Sequence, residues 1–445
     1  MRVAIFLVRL DLNNILKGAY ARQFLTYGVS TVGTMLSGFL LVLILVRLLP
    51  AEVYGELVLT KTMLLLVISL AGMGLSQAAV RWTGFKERED LVFGSVLGGA
   101  CFTALPATAL LIGLLLFFED QFRLKVNMLL VAAIIALVFS YLLNNEVLNW
   151  LRARHQAASH ALVSNLRAIQ QMVVITAGAL LFGNVAGYIY GLAAGEVLFL
   201  ACSAFFYRGR LAFQAKLLGE MLGYGWPHTL VIAGGVALSY ADRFMISLLT
   251  SNNSEVAYYD AASIVVVSAV ALLARPFNLF LFPAYTRLHD QEGPDATVEM
   301  IHHAQRLFLI AGLVIATLLI TLRGPLLQLL FPADYSKAET IFAPVAFSAL
   351  LNGLFMATVA GLYIAKKTIL VGVSALLAVQ VNIAANWFLI PIYGIYGAAL
   401  GTAISSFVQL IFGYYHSRVV LPINLPIRLL LGGSLWLGLL SWLAS

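Results

Sequence analysis

The stretch FLTYGVSTVGTMLSGFLLVLILV (24–46), the break RLLPAEVYGE (47–56) and the stretch LVLTKTMLLLVISLAGMGLSQAA (57–79) form two long apolar runs around one short polar turn. A helix needs roughly 20 apolar residues to cross about 30 Å of hydrocarbon, and each run meets that length. A barrel strand would instead alternate apolar and polar residues over about ten positions, whereas these runs are apolar throughout, with Gly and small polar residues interspersed. The unit predicts a pair of membrane-spanning α-helices.

The same unit recurs along the chain. Apolar runs fall at 24–46, 57–79, 91–118, 127–150, 161–182, 187–206, 227–249, 257–283, 306–330, 340–364, 368–390 and 396–416, with a shorter thirteenth candidate at 427–443. Across 445 residues, 61% are hydrophobic, 11% are charged and the mean hydropathy is +0.94, which excludes a string of soluble domains. The expected fold is an all-α integral membrane protein of about 12 helices.

The net charge of +7 and pI near 9.3 raise nucleic acid as a partner, but the cations sit in the breaks between spans. With the N-terminus in the cytoplasm, one side holds Arg2, Arg9, Lys17 and Arg22 of an amphipathic lead-in (1–22). It also holds Arg81, Lys86, Arg88, Arg152, Arg154, Arg167, Arg208, Arg210, Lys216, Arg287, Arg306, Lys366, Lys367, Arg418 and Arg428. The other side holds Arg47, Arg123, Lys125, Arg323 and Lys337. This asymmetry sets the orientation and accounts for the basic pI without nucleic acid. The two cysteines, Cys101 and Cys202, lie inside apolar segments and read as buried small hydrophobes rather than a disulfide or a metal pair. The longest internal break, Ala284 to Gln305, reads as a modest loop with Gly293 and Pro294 at its tip.

Two passages resemble each other. RLLPAEVYGELVLTKTMLLLVISLAG (47–72) parallels SLLTSNNSEVAYYDAASIVVVSAVALLA (247–274), with Glu52 against Glu255 and Val53 against Val256. The offset spans six helices, an even number, so the copies share an orientation and a pseudo-twofold axis along the membrane normal. The expected organisation is an N-lobe (23–206), a basic cytoplasmic connector (207–223), a C-lobe (224–416) and a C-terminal segment (417–445), the six-helix lobes flanking a central cavity.

Four passages, RLLPAEVYGEL (47–57), ADRFMISLLTSNNSEVAYYDAA (241–262), PFNLFLFPAYTRL (276–288) and NWFLIPIYGIYGAALGTAIS (386–405), carry a resemblance in order and spacing. The chain resembles the polysaccharide flippases (O-antigen, Wzx type) of the multidrug/oligosaccharidyl-lipid/polysaccharide exporter superfamily. The resemblance implies movement of a polyprenyl-diphosphate-linked oligosaccharide from the cytoplasmic to the outer leaflet of a bacterial inner membrane by alternating access. It also implies partners among glycan polymerases and glycosyltransferases. A cation-coupled multidrug antiporter of the same superfamily and a lipid II flippase are the alternatives.

Ionisable groups at membrane depth cost roughly 2.5–3.5 kcal/mol on insertion scales, so each needs a partner or a wet cavity. Arg243 and Arg275 present planar forks suited to a diphosphate, with Lys61 a third candidate; Arg243 otherwise pairs with an acid, and Lys61 otherwise snorkels. Glu196, in GLAAGEVLFL, and Asp242 are candidates for proton or cation coupling, against a structural hydrogen bond or ion pair for Glu196. Ser239 and Ser247 share a helix face with Arg243; Asn145 and Asn149 lie on one face of the fourth span, Gln171 on the fifth and Tyr27 on the first. Such stripes suit a glycan-lining wall or ordinary packing between helices. No Gly-rich phosphate loop, metal-ligand spacing or catalytic motif occurs, and His302 and His303 read as loop residues. A transporter with no cofactor is expected, rather than an enzyme.

Overall fold

The computed structural model describes residues 19–82, 89–119, 124–154, 156–204 and 211–443. The lead-in up to residue 18 and the first part of the connector, 207–210, fall outside the described residues. The helices are α1 (Ala19–Leu48), α2 (Ala51–Ala71), α3 (Leu75–Trp82), α4 (Glu89–Phe117), α5 (Met128–Ala153), α6 (Ala157–Phe182), α7 (Val185–Ala204) and α8 (Ala215–Thr250). They continue with α9 (Asn253–Glu292), α10 (Pro294–Thr321), α11 (Arg323–Leu330), a 3₁₀ segment (Ala333–Ile341), α12 (Phe342–Thr358), α13 (Ala360–Ile364), α14 (Thr368–Tyr393), α15 (Ile395–Arg418) and α16 (Ile427–Leu443). Among the described residues, twelve helical segments are long and apolar enough to cross a membrane, and α16 is a shorter apolar helix. The all-α, twelve-span architecture read from the hydropathy is the one observed.

Local chemistry places the turns. Asn127 caps α5 through its side chain, which accepts from the Leu130 amide at 2.8 Å, and Asn252 caps α9 by accepting from Ser254 N at 3.0 Å. Gly183 (φ 64) closes α6 in the left-handed region that glycine enters without a Cβ penalty.

Several expectations change. Residues 284–305 form no loop: α9 runs to Glu292, turns at Gly293 (φ 89), and α10 starts at Pro294, which supplies the preset φ of a first helical position. His302 and His303 therefore lie on a helix. The connector from Ala215 onward is the first part of α8, continuous with its span, because the strong helix formers of AKLLGEML outweigh the single Gly219. Arg167, counted among the cytoplasmic-side cations, lies within its span in α6 and is buried. Both cysteines are unpaired, but Cys202 is exposed on α7.

Chain direction alternates, so Leu48, Ala51, Thr250 and Asn253 share one end of the bundle, here the first face, and Ala71, Ala215, Glu292 and Pro294 share the second face. The two halves repeat a packing scheme. Helix α1 lies on α6 as α8 lies on α14; α6 lies on α7 as α14 lies on α15; α5 lies on α7 as α12 lies on α15. Helix α2 bridges the halves by packing on both α8 and α9. A belt of exposed apolar side chains, including Phe117, Leu181, Phe388 and Ile392, leaves the outside of the bundle suited to lipid.

The two repeated turns meet at the first face. Gly55 of α2 lies against the Asn253 carbonyl at the start of α9, so closely that a Cβ there would collide with it. Small residues at such crossings let backbones approach. Gly55→Val is expected to destabilise the detergent-solubilised protein by about 1–3 kcal/mol through overpacking. Gly113→Ala, whose added methyl group meets open space, should stay within about 0.5 kcal/mol of wild type. Thermal unfolding of both variants provides the check.

Candidate functional site

Among the described residues, three polar assemblies in the interior of the bundle hold the candidate groups. The first is built from α5, α6 and α7. Residues 144 and 145 are adjacent on α5 and therefore point about 100° apart. Asn144 turns toward α7, where its Nδ2 donates to the Glu196 carboxylate at 2.7 Å and to the Glu196 carbonyl at 2.9 Å. Asn145 accepts from Arg167 Nη1 at 2.9 Å. Arg167 grips Glu196 with Nη2 at 2.7 and 2.8 Å and Nε at 3.2 Å, and Gln171, one turn along α6, donates to the same carboxylate. The guanidinium also sits over the rings of Tyr141 and Phe199. Glu196 is fully buried and its charge is neutralised and solvated by protein donors.

The second assembly joins the halves near the first face. Asp242 and Arg243 are neighbours on α8, and Tyr259 and Asp260 are neighbours on α9, so two parallel contacts form. Tyr259 donates its hydroxyl to Asp242 at 2.7 Å, while Arg243 donates to Asp260 at 3.0 and 3.3 Å. Asp242 accepts three further bonds, from Thr402 at 2.6 Å and from Asn382 and Asn386 at 2.8 Å each. None of these four donors is charged. Asp260 in turn accepts at 2.9 Å from the hydroxyl of Tyr54 on α2, across the two halves, and Arg47 donates to the Leu329 carbonyl at 2.9 Å close by. Arg243 also donates to the Ser239 carbonyl at 2.8 Å and lies over Tyr240 and Tyr259.

The third is a cavity of about 450 Å³ opening toward the second face, within the usual range for ligand pockets. Its wall comes from the polar faces of α1, α5 and α6, the α2–α3 turn and Ile232 of α8. Asn145, Asn149 and Arg152 recur on one face of α5 and all line it, with Glu146 beside them. Arg152 is exposed there, its one described bond being a 3.5 Å contact to His160, which meets Tyr27 edge-on at 5.3 Å.

The sequence-derived candidates thus separate. Asn145 and Asn149 line the cavity, and Tyr27 stands beside His160 of its wall. Gln171 is committed to Glu196, and Ser247, buried, donates to Asn253 at 2.8 Å to close a turn. Ser239 is exposed, its hydroxyl bonded to the Gly235 carbonyl. Arg243 is taken up by Asp260; Lys61 is half-buried within α2. Arg275 lies on the α9 backbone, and its side chain falls outside the described residues. Asp260, Glu146, Asn382, Asn386 and Thr402 complete the assemblies. The signal for them is faint but present: an acid two turns into a span (YYDAA), another in NNEVLN, and asparagines four residues apart in an apolar helix. Among the described residues no group of His, Cys, Asp and Glu could hold a metal ion.

Residues 20–289 match the family described as "Polysaccharide biosynthesis protein". An uncharacterized membrane protein of Methanocaldococcus jannaschii is 24% identical over 216 residues, which are 46% of this chain and 41% of that one, so the match spans less than half of either. The lipid II flippase MurJ in an inward closed conformation superposes with a TM-score of 0.72 at 15% identity, covering 93% of this chain and 91% of that one. A multidrug resistance MATE family transporter of the MOP superfamily, outward-facing, gives 0.63 at 15% identity over 91% and 97% of the two chains. A MOP superfamily transporter from Pyrococcus furiosus gives 0.61 at 15% identity over 91% and 96%. These likenesses establish the fold.

Removing one member of the Arg167–Glu196 pair leaves a buried charge without a partner. Arg167→Leu or Glu196→Met should each cost about 3–5 kcal/mol, whereas the double change Arg167→Leu with Glu196→Met should cost clearly less than the sum. A double-mutant cycle of thermal unfolding reads the difference.

Proposed function

This chain belongs to the polysaccharide biosynthesis protein family, and we propose that it carries a polyprenyl-diphosphate-linked oligosaccharide from the cytoplasmic to the outer leaflet by alternating access. The observation that carries the reading is the asymmetry of the bundle. A polar cavity opens toward the second face, while at the first face Tyr54 and Asp260, and Gly55 and Asn253, hold the halves together. That is the arrangement of a carrier open to one side, and the excess of loop cations makes the second face cytoplasmic. The chain is then a transporter rather than an enzyme, set in a bacterial inner membrane with a cytoplasmic N-terminus. Enzymes that build or polymerise the glycan are its partners.

Within this reading the diphosphate is met by cations not already committed to acids. Arg152, exposed in the cavity wall, and Lys61, half-buried in α2, satisfy that condition better than Arg243, whose guanidinium is engaged by Asp260. A planar guanidinium pairs with phosphate oxygens at two points and stays charged in any surroundings. Coupling is assigned to Asp242. Its four uncharged donors leave it without a counter-charge in direct contact, so a proton or a small cation can take that role. Glu196 already has Arg167 and is assigned a structural role. The alternative of a multidrug antiporter draws support from Glu146 in the cavity, an acid suited to a cationic drug, but Arg152 in the same wall opposes cations. A lipid II flippase would use the same cations, since its cargo also bears a diphosphate.

Arg152→Ala should lower export of surface glycan at least about tenfold at normal membrane levels of the protein, with lipid-linked oligosaccharide accumulating at the cytoplasmic leaflet; wild-type export would remove the phosphate assignment. Asp242→Asn should flatten the dependence of transport in proteoliposomes on an imposed proton or sodium gradient. An unchanged dependence would return Asp242 to a purely structural role.

A further inference from the structure

One part of the cavity wall carries buried hydrogen-bond acceptors without donors. Asn149 Nδ2 donates to Ser76 Oγ at 2.6 Å, and Ser76 Oγ donates to Glu146 Oε1 at 3.2 Å. Among the described residues, the second carboxyl oxygen, Glu146 Oε2, accepts from no group, and neither does the side-chain oxygen of Gln77, the residue next to Ser76 on α3. Both oxygens are buried, both residues line the cavity, and Glu146 is only 4% exposed. A buried acceptor without a donor is expensive, and an amide oxygen or an ionised carboxylate can only accept. The ligand group completing this wall must therefore carry O–H or N–H donors.

That requirement discriminates among the parts of a lipid-linked glycan. An ionised diphosphate brings only acceptors. A polyprenyl tail brings neither donors nor acceptors. A sugar brings several hydroxyls, and an acetamido sugar adds an amide N–H. Glu146 and Arg152 are six residues apart on α5, about 9 Å along the helix, with Arg152 nearer the second face. A phosphate held at Arg152 thus places the group attached to it deeper in the cavity, toward these acceptors.

We infer that Glu146, Gln77 and Ser76 form a sugar subsite that accepts hydrogen bonds from hydroxyl or amide donors of the saccharide nearest the diphosphate. This rests on the lipid-linked glycan reading above and specifies which part of the cargo is selected. The cavity then discriminates loaded from empty carrier, so that the protein moves glycan and leaves the bare polyprenyl diphosphate behind.

The test uses the purified full-length protein in detergent, titrated with two probes: bare polyprenyl diphosphate and the same carrier bearing one N-acetylhexosamine. Wild type should bind the sugar-bearing carrier about tenfold more tightly than the bare one, the scale of losing a hydrogen bond to a charged acceptor. Glu146→Gln should reduce that ratio to less than about threefold, and Gln77→Met, which removes the second acceptor at similar volume, should reduce it independently. Equal affinity of wild type for the two probes, or a ratio that neither variant changes, overturns the subsite while leaving the flippase reading standing. If wild type binds neither probe, both fall together.

Discussion

A carboxylate taken from water into hydrocarbon loses hydration worth many kcal/mol and must recover it from the protein. This constraint organises the interior. Glu196 recovers its hydration from Arg167, Asn144 and Gln171, which ties α5, α6 and α7 into one unit. Asp260 recovers it from Arg243 and Tyr54, which ties α8 and α9 to α2. Asp242 draws on Tyr259, Thr402, Asn382 and Asn386, gathering α8, α9, α14 and α15 about a single side chain. Packing of small residues brings the helices close, but these acids fix which faces meet, because rotating any one helix by a residue would leave a charge in lipid-like surroundings.

The duplication gives the same packing partners to both halves, yet the polar groups do not follow it. The first half uses its interior for an ion pair between its fifth and sixth spans and a cavity open to one face. The second half gathers its acids on the seventh and eighth spans, close to the junction with α2. A symmetric scaffold with asymmetric chemistry suits a carrier in which one half holds cargo and the other senses a driving ion. Because Asp242 and Arg243 are consecutive, and Tyr259 and Asp260 are consecutive, a change in the charge state of Asp242 acts on the same two helices that hold the contact to Tyr54. The proposed coupling residue thus sits on the same two helices as the Tyr54–Asp260 contact that joins the halves near the first face.

The sequence alone determined the solvent, the helical class and the approximate number of spans. Those follow from the length and hydropathy of each run, which are local properties set by bilayer thickness and by the need to satisfy every backbone group within a helix. The loop cations and the repeated turn are local too, and the two turns do come together at the first face. The sequence also marked Glu196, Asp242 and Arg243 as costly residues needing partners, since any charge within an apolar run is costly wherever the helix packs.

Only the tertiary structure decided who those partners are. Arg243 reads as a diphosphate ligand or as half of an ion pair until Asp260 is seen seventeen residues along the chain on the facing helix, and nothing in the sequence ties Asn382 and Asn386 to Asp242. Arg167 counts among the cytoplasmic-side cations by its position near a span end, but it is buried on Glu196. The cavity was legible as polar stripes on three helices, because spacing along one helix fixes which residues share a face. Which stripes face one another, and that Glu146 and Gln77 stand in one wall with Arg152, depends on rotations and crossings set by contacts distant in sequence. Hydropathy carries no information on those, because it reports how far a segment lies from water and not what lies across from it.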